Sequence, residues 1–215
     1  MGGGEVFCFD GPVKLHRSIS LDRPLLVVAL EEEAQHLHLS TLPLLVTGVG
    51  KVAAAAALSA VLARQRPSRV INLGAAGSLA GGLIGTHVIG RVFQHDFDDR
   101  AIYDLTGFHS GAPIDLEVAG PVLASGDVFV NSSAAGKKLA GQAALVDMEG
   151  YAVAYVAGEF GLPVTLVKDV SETAGEGAGR NWPGTLDQCA ERLGAWLSQE
   201  LSGSLPARGA SSGKA

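Results

Sequence analysis

"LPLLVTGVGKVAAAAALSAVLARQRPSRVINLG", residues 42–74, is the stretch whose reading decides the fold. It opens on a short apolar run, turns through two glycines, and enters an Ala-rich segment, 51–65, that holds neither Gly nor Pro. A segment of that composition is a strong helix former. The quoted stretch closes on "SRVINLG" (68–74), a second apolar run. Strand, helix and strand in that order make a right-handed crossover between parallel strands. Two further runs, "PLLVVAL" (24–30) and "LPVTLVKDVS" (162–171), are apolar on both faces, as strands covered by helices on both sides should be.

The turn inside the stretch, "TGVGKVA" (47–53), matches the G-x-G-x-x-A fingerprint of dinucleotide-binding enzymes. That fingerprint wants an acid for the ribose at the end of the next strand. The next strand ends "INLGAAGS", with no acid. The better reading is a close strand-to-helix turn, glycine-rich because its backbone passes near a ligand or a neighbour. "NLGAAGSLAGG" (72–82) is a second glycine-rich turn at a strand end, where open α/β sheets bind ligands, or else a plain loop.

Further on, "LVDMEGYAVAYVA" (145–157) sets two acids against an apolar run, and a helix is expected from about Asp147 to Glu159. Asp147 then reads as an N-cap with Glu149 in the first turn, or one of the two binds a ligand. Glu31–Glu33 in "LEEEAQHL" (30–37) carry the same ambiguity, since acids suit a helix start. A last helix is expected over Thr185–Leu201, with apolar residues at near-helical spacing. Residues 94–108, "QHDFDDRAIYDLTGF", read as a loop with Ile102, Tyr103 and Phe108 exposed, which is unusual unless something covers them.

The bulk composition narrows the functional class. The chain has 215 residues, 47% apolar, 18% charged and 6% aromatic, which suits one domain with a core of Ala, Val and Leu. A net charge of −6 and no Lys/Arg cluster argue against a nucleic-acid surface. Cys8 and Cys189 are too few for a disulfide or zinc framework, and the histidines show no metal-ligand spacing. The first residues lack a basic region followed by an apolar core, so no signal peptide is expected, and a cytoplasmic location fits. Val52–Ala63, the longest apolar stretch, is too short to span a bilayer.

Taken in order, "ALEEE", "TGVGKVAAA", "VINLGAAGSLAGGL", "QHDFD", "SGDVFVNS", "VDMEGYAVAYVA" and "LVKDVSE" resemble the purine nucleoside phosphorylase superfamily. Within it they are most similar to the 5′-methylthioadenosine/S-adenosylhomocysteine nucleosidases. The resemblance runs from about Leu25 to Thr173. It implies a three-layer α/β/α fold around a twisted, mostly parallel or mixed sheet, assembled as a homodimer, with a purine nucleoside as substrate and neither cofactor nor metal. On this reading residues 1–24 are an N-terminal extension, 25–201 the single domain and 202–215 a disordered tail.

The resemblance also assigns roles. Glu149 accepts the ribose 2′ and 3′ hydroxyls, for which the two oxygens of a carboxylate are suited, and Met148 faces the same sugar. Phe129 stacks on the purine while the Val130 backbone reads its edge. Ala75, Ala76 and Gly77 line sugar and base, Val49 packs near the sugar, and Ser171 adjoins the substrate. Glu33 activates the attacking water, and Glu172 stands where the family has Asp, protonating purine N7. Ile102 reaches the neighbouring subunit's pocket. Asp147 stays structural.

The sequence departs from the family at Glu172 itself, between Glu33 and "TGVGK", and between "QHDFD" and "SGDVF", where it is shorter. Hydrolysis with release of adenine is the favoured reaction. Phosphorolysis would need an arginine that the "NLGAAGSL" turn lacks, and a carboxylate beside phosphate repels it. A catalytically impaired nucleoside-binding relative is the third possibility.

Overall fold

The computed structural model describes residues 13–37, 40–79, 83–130, 133–171 and 182–203. The quoted stretch forms β3 (Leu44–Val46), α1 (Lys51–Leu62) and β4 (Val70–Ala75). With β2 (Leu25–Val28) and β11 (Val164–Val170) these strands make a parallel core of order β3-β2-β4-β11. Antiparallel strands β1 (Lys14–His16) and β6 (Gly85–Val88) complete the two edges of this six-stranded sheet.

Alternate residues of each core strand feed opposite faces, as pleating requires. Leu26, Val28, Leu44 and Val46 pack on Leu193 and Leu197 of α5 (Trp182–Gly203). Leu25, Val27 and Leu45 pack on the other side with α1 and α4 (Gly150–Glu159). Helix, sheet and helix make the α/β/α sandwich. Burial of both faces explains why these strands read as continuous apolar runs.

The strands do not form one sheet. A second, five-stranded sheet has the order β5-β10-β9-β7-β8. Its strands are β5 (Gly77–Ser78), β7 (Arg91–Gln94), β8 (Ile114–Asp115), β9 (Val122–Ser125) and β10 (Leu145–Asp147). It too is parallel inside and antiparallel at both edges. Val92, Leu123 and Leu145 join the same core as α4, so that helix lies between the sheets. Tyr151, Ala152, Val153, Ala154, Val156 and Ala157 are all buried. A helix apolar all round is what that position demands. Helix α3 (Ser133–Ala140) packs Leu139 and Ala140 against Ala124 and Val146 of the second sheet.

Two expectations are corrected. The helix expected from Asp147 begins at Gly150, and Glu149 is its N-cap. Asp147 instead ends β10, its backbone in register with Ser125 of β9. Sheet pairing over "LVD" outweighs helix propensity there. Residues 94–108 are not a loop. They contain α2 (Asp99–Thr106), capped by Asp98, whose Oδ1 accepts from the Ala101 amide at 3.0 Å, and ended by Gly107 at φ 76°. Both signals are standard helix stops and starts. None of the residues of α2 is buried, so its apolar side chains add nothing to the core. Among the described residues no helix is long and apolar enough to cross a membrane.

Candidate active site

The chain runs from β2 out to β3 and back past β2 to β4, so the order of strands reverses at β2. Open α/β sheets bind ligands beyond the carboxyl ends of strands at such a switch point. A single cleft lies there. Ala29 and Leu30 follow β2, Val49 follows β3, Ala75 ends β4, and Ser171 follows β11. The second sheet contributes Val128, Phe129 and Val130 after β9, and Asp147, Met148 and Glu149 at the end of β10.

Glu33 lies on a 3-10 turn, Glu32–Ala34, and is 5% exposed. Its Oε2 accepts the Ala29 and Leu30 amides at 3.0 and 3.1 Å, and its Oε1 the Ala75 amide at 2.9 Å. One carboxylate therefore ties the ends of β2 and β4 together. Burial pushes its pKa up, against the Ala75 amide and the charge of Lys168. A carboxylate so placed takes up a proton more readily than an exposed Glu.

Behind the cleft, Lys168 is 1% exposed, and its Nζ sits 2.8 Å from Asp147 Oδ2. Burial pulls the Lys168 pKa down, but the charges of Asp147, Glu149 and Glu33 outweigh that, and it stands above the ordinary lysine value. Asp147 further accepts the Ser125 hydroxyl at 2.5 Å and the Gly150 amide at 2.8 Å. Glu149 Oε1 accepts the Gly50 amide at 2.8 Å. Burial, then the neighbouring Asp147 charge, raises its pKa to about 8.

Two glycines allow this approach. Gly50 has φ 97°, a backbone conformation that L side chains rarely adopt, and this aims its amide at Glu149. A Cβ on Gly74 would lie 3.2 Å from Glu33 Oε1, so a side chain there would press on that carboxyl group, and it would touch Lys168 Nζ at 3.4 Å.

Of the residues singled out from the sequence, Glu33, Val49, Ala75, Ala76, Gly77, Phe129, Val130, Met148, Glu149 and Ser171 all border this one cleft. Ile102 lies on α2 and does not line the cleft of its own chain. Glu172 lies outside the described residues. Lys168 is the chief residue that sequence reading passed over. Its signal was a lone cation inside the apolar run "LPVTLVKDVS", a position tolerated only where a buried anion meets it.

The profile of the phosphorylase superfamily matches residues 36–119 and 109–201. Over 184 residues, 74% of this chain and 78% of that protein, the sequence is 31% identical to a 5′-methylthioadenosine/S-adenosylhomocysteine nucleosidase of Geobacillus kaustophilus strain HTA426. A Helicobacter pylori nucleosidase of the same name, solved as a mutant with 5′-methylthioadenosine in its active site, superposes with a TM-score of 0.75. It is 25% identical, over 86% of this chain and 100% of that one. The futalosine hydrolase of Helicobacter pylori shares the fold at a TM-score of 0.76 and 23% identity, over 85% of this chain and 98% of that one. With a two-sheet α/β/α fold and an acidic cleft at its switch point, the chain belongs to the phosphorylase superfamily. Its sequence is most like the nucleosidase branch among the relatives described above.

Proposed function

We propose that this chain hydrolyses the N-glycosidic bond of a purine nucleoside of the 5′-methylthioadenosine or S-adenosylhomocysteine kind, releasing adenine. The observation that carries the reading is the convergence of Glu33, Glu149 and Phe129 on one cleft, in a chain related to a nucleosidase over three quarters of its length. Glu149 receives the ribose diol, with Met148 and Val49 against the sugar. Ala75, Ala76 and Gly77 line the sugar and base, beside Ser171. The half-exposed Phe129 ring stacks on the purine, and the Val130 backbone reads its edge. Water attacks C1′ and gives its proton to Glu33. The C1′–N9 bond breaks, its electron pair leaves on the purine, and Glu172 protonates N7. Carboxylates near the sugar favour the positive charge that builds on it.

Among the described residues that line the cleft none is Arg or Lys, which supports water rather than phosphate as the nucleophile. Lys168 is already paired with Asp147. Adenine release from methylthioadenosine in phosphate-free buffer tests the reading. A reaction that stalls without phosphate and yields a pentose 1-phosphate when it is added would replace hydrolysis by phosphorolysis.

Glu149→Gln isolates the sugar contact. It is expected to weaken nucleoside binding about tenfold or more, because an amide offers one acceptor oxygen where the carboxyl group offers two. Free adenine, which has no diol, is expected to bind as before. Equal losses for both ligands in calorimetry would return Glu149 to a purely structural role at the start of α4.

A homodimer in the cytoplasm completes the proposal. Helix α2 presents Tyr103 and Leu105 to solvent and Phe108 follows just beyond its end, with Leu105 82% and Phe108 75% exposed. Apolar side chains grouped on one surface helix mark a contact face, and Ile102 on that helix would reach the partner's cleft. Light scattering at micromolar concentration is expected to give twice the chain mass. A monomer there removes the assembly and the role of Ile102 together.

A further inference from the structure

Two successive amides at the start of α1 are spent on carboxylates from the second sheet. The Gly50 amide goes to Glu149, and the Lys51 amide to Asp127 Oδ1 at 2.7 Å. Asp127 belongs to the segment after β9 that carries Phe129. Its own amide donates to Asp96 Oδ2 at 2.8 Å. Asp96 Oδ1 in turn receives Lys51 Nζ at 2.5 Å, and that ammonium also meets Gln94 Oε1 at 2.9 Å. The ring closes: Lys51 to Asp127, Asp127 to Asp96, Asp96 back to Lys51. The Lys51 and Asp96 side chains are only 15% and 18% exposed, so this is a sheltered pair rather than a solvated one. By contrast Val128 and Phe129, the next residues along, are 65% and 47% exposed. Core packing does little to hold these two side chains: they bridge two anchors, the bonds at Asp127 before them and Val130 after them, which is 6% exposed in the core of the second sheet.

We propose that Asp127 is a positioning residue for the base: with Lys51 and Asp96 it clamps the segment after β9 onto the start of α1, and so fixes the Phe129 ring where it stacks on the purine. The same turn, through Gly50, fixes Glu149 at the ribose, so one glycine-rich corner sets the spacing between sugar site and base site. Asp127 touches no substrate and acts through Phe129. The proposal therefore rests on the assignment of Phe129 to the purine.

A double-mutant cycle on adenine binding, read by calorimetry, tests it. Asp127→Ala and Phe129→Ala are each expected to weaken adenine about tenfold or more, the scale of a lost hydrogen bond to a charged group. The double variant is expected to bind no more weakly than Phe129→Ala alone. Asp127→Asn, whose amide oxygen still accepts from the Lys51 amide, is expected to stay within about threefold of the natural chain. Additive losses in the double variant overturn the clamp, because Asp127 would then act by another route. Natural affinity in Asp127→Ala beside a loss in Phe129→Ala also overturns it, and leaves Phe129 at the purine. Natural affinity in Phe129→Ala overturns the assignment of Phe129 and the clamp with it. If Asp127→Ala does not fold by circular dichroism, Lys51→Met takes its place in the cycle, with the same outcomes deciding. That change removes the ammonium bridge and keeps the backbone amide.

Discussion

Glu172→Gln is expected to lower kcat for adenine release by about 10²-fold or more, while nucleoside affinity stays within a few-fold of the natural chain. Loss of a positioned general acid typically costs about 10²–10⁴-fold. The amide keeps the shape of the acid and cannot supply the same proton to N7. Glu172 lies outside the described residues, so its role rests on its place after Ser171, which lines the cleft. Glu is one carbon–carbon bond longer than the Asp that the family pattern calls for, about 1.5 Å. A misplacement of that order can cost about 10²-fold. Glu172→Asp is therefore expected to keep or raise activity, and a tenfold gain, about 1.4 kcal/mol in the barrier, would mark the natural Glu as adapted to another substrate. Normal turnover by the Gln variant, in steady-state assays with methylthioadenosine, would remove Glu172 from the mechanism.

The second large effect is on stability. Lys168→Met is expected to lower the unfolding free energy by about 3–5 kcal/mol, because it leaves Asp147 as a buried charge without its partner. Ser125 and Gly150 still donate to Asp147 in that variant, but neither carries a positive charge. The pH dependence follows from the direction of the shifts. Lys168 is held above its ordinary 10.5, so its contribution is fully present below that pH and fades only as pH rises through the raised value. Glu149 works the other way. Its folded pKa of about 8 lies above the ordinary 4.5, so the native state keeps a proton that the unfolded chain releases. Its effect is to lower stability as pH rises between those values, with no further loss above them. Removing Lys168 takes away a charge that pulls the Glu149 pKa down, so nucleoside binding at neutral pH is expected to weaken as well. Urea unfolding of both proteins across this range measures the loss. Adding Asp147→Asn to Lys168→Met is expected to recover part of it. A Lys168→Met protein within about 1 kcal/mol of the natural chain would mean that the pair is not what holds these strand ends together.

How much of this was legible in advance can be judged from particular elements. Strands β2, β3, β4 and β11 announced themselves because burial on both faces leaves unbroken apolar runs, and α1 because alanine favours a helix in any context. Helix α2 stayed hidden because none of its residues is buried. Its Asp98 cap and Gly107 stop are local signals, and a helix of 8 residues is too short for its apolar spacing to be told from that of a loop. The start of α4 is not legible because "LVD" carries no strand signal of its own; pairing with β9, 22 residues upstream, makes it β10.

The site divides the same way. The resemblance of the motifs to the nucleosidase family singled out Glu33, Phe129, Met148 and Glu149, whereas the residues alone left both acids open between helix start and ligand site. What only the tertiary structure decided is how those acids are charged and spaced. Glu33 clasps two strand ends through amides from residues 29, 30 and 75, and Glu149 is set by Gly50, 99 positions away. Lys168 is held above its ordinary pKa by Asp147 and Glu149 at the end of β10 and by Glu33 after β2, two segments distant from it in sequence. Local propensity acts over a few residues and can be read from them. Desolvation and Coulomb interaction act through space, and in a parallel fold with long crossovers the groups that meet in space are far apart in sequence.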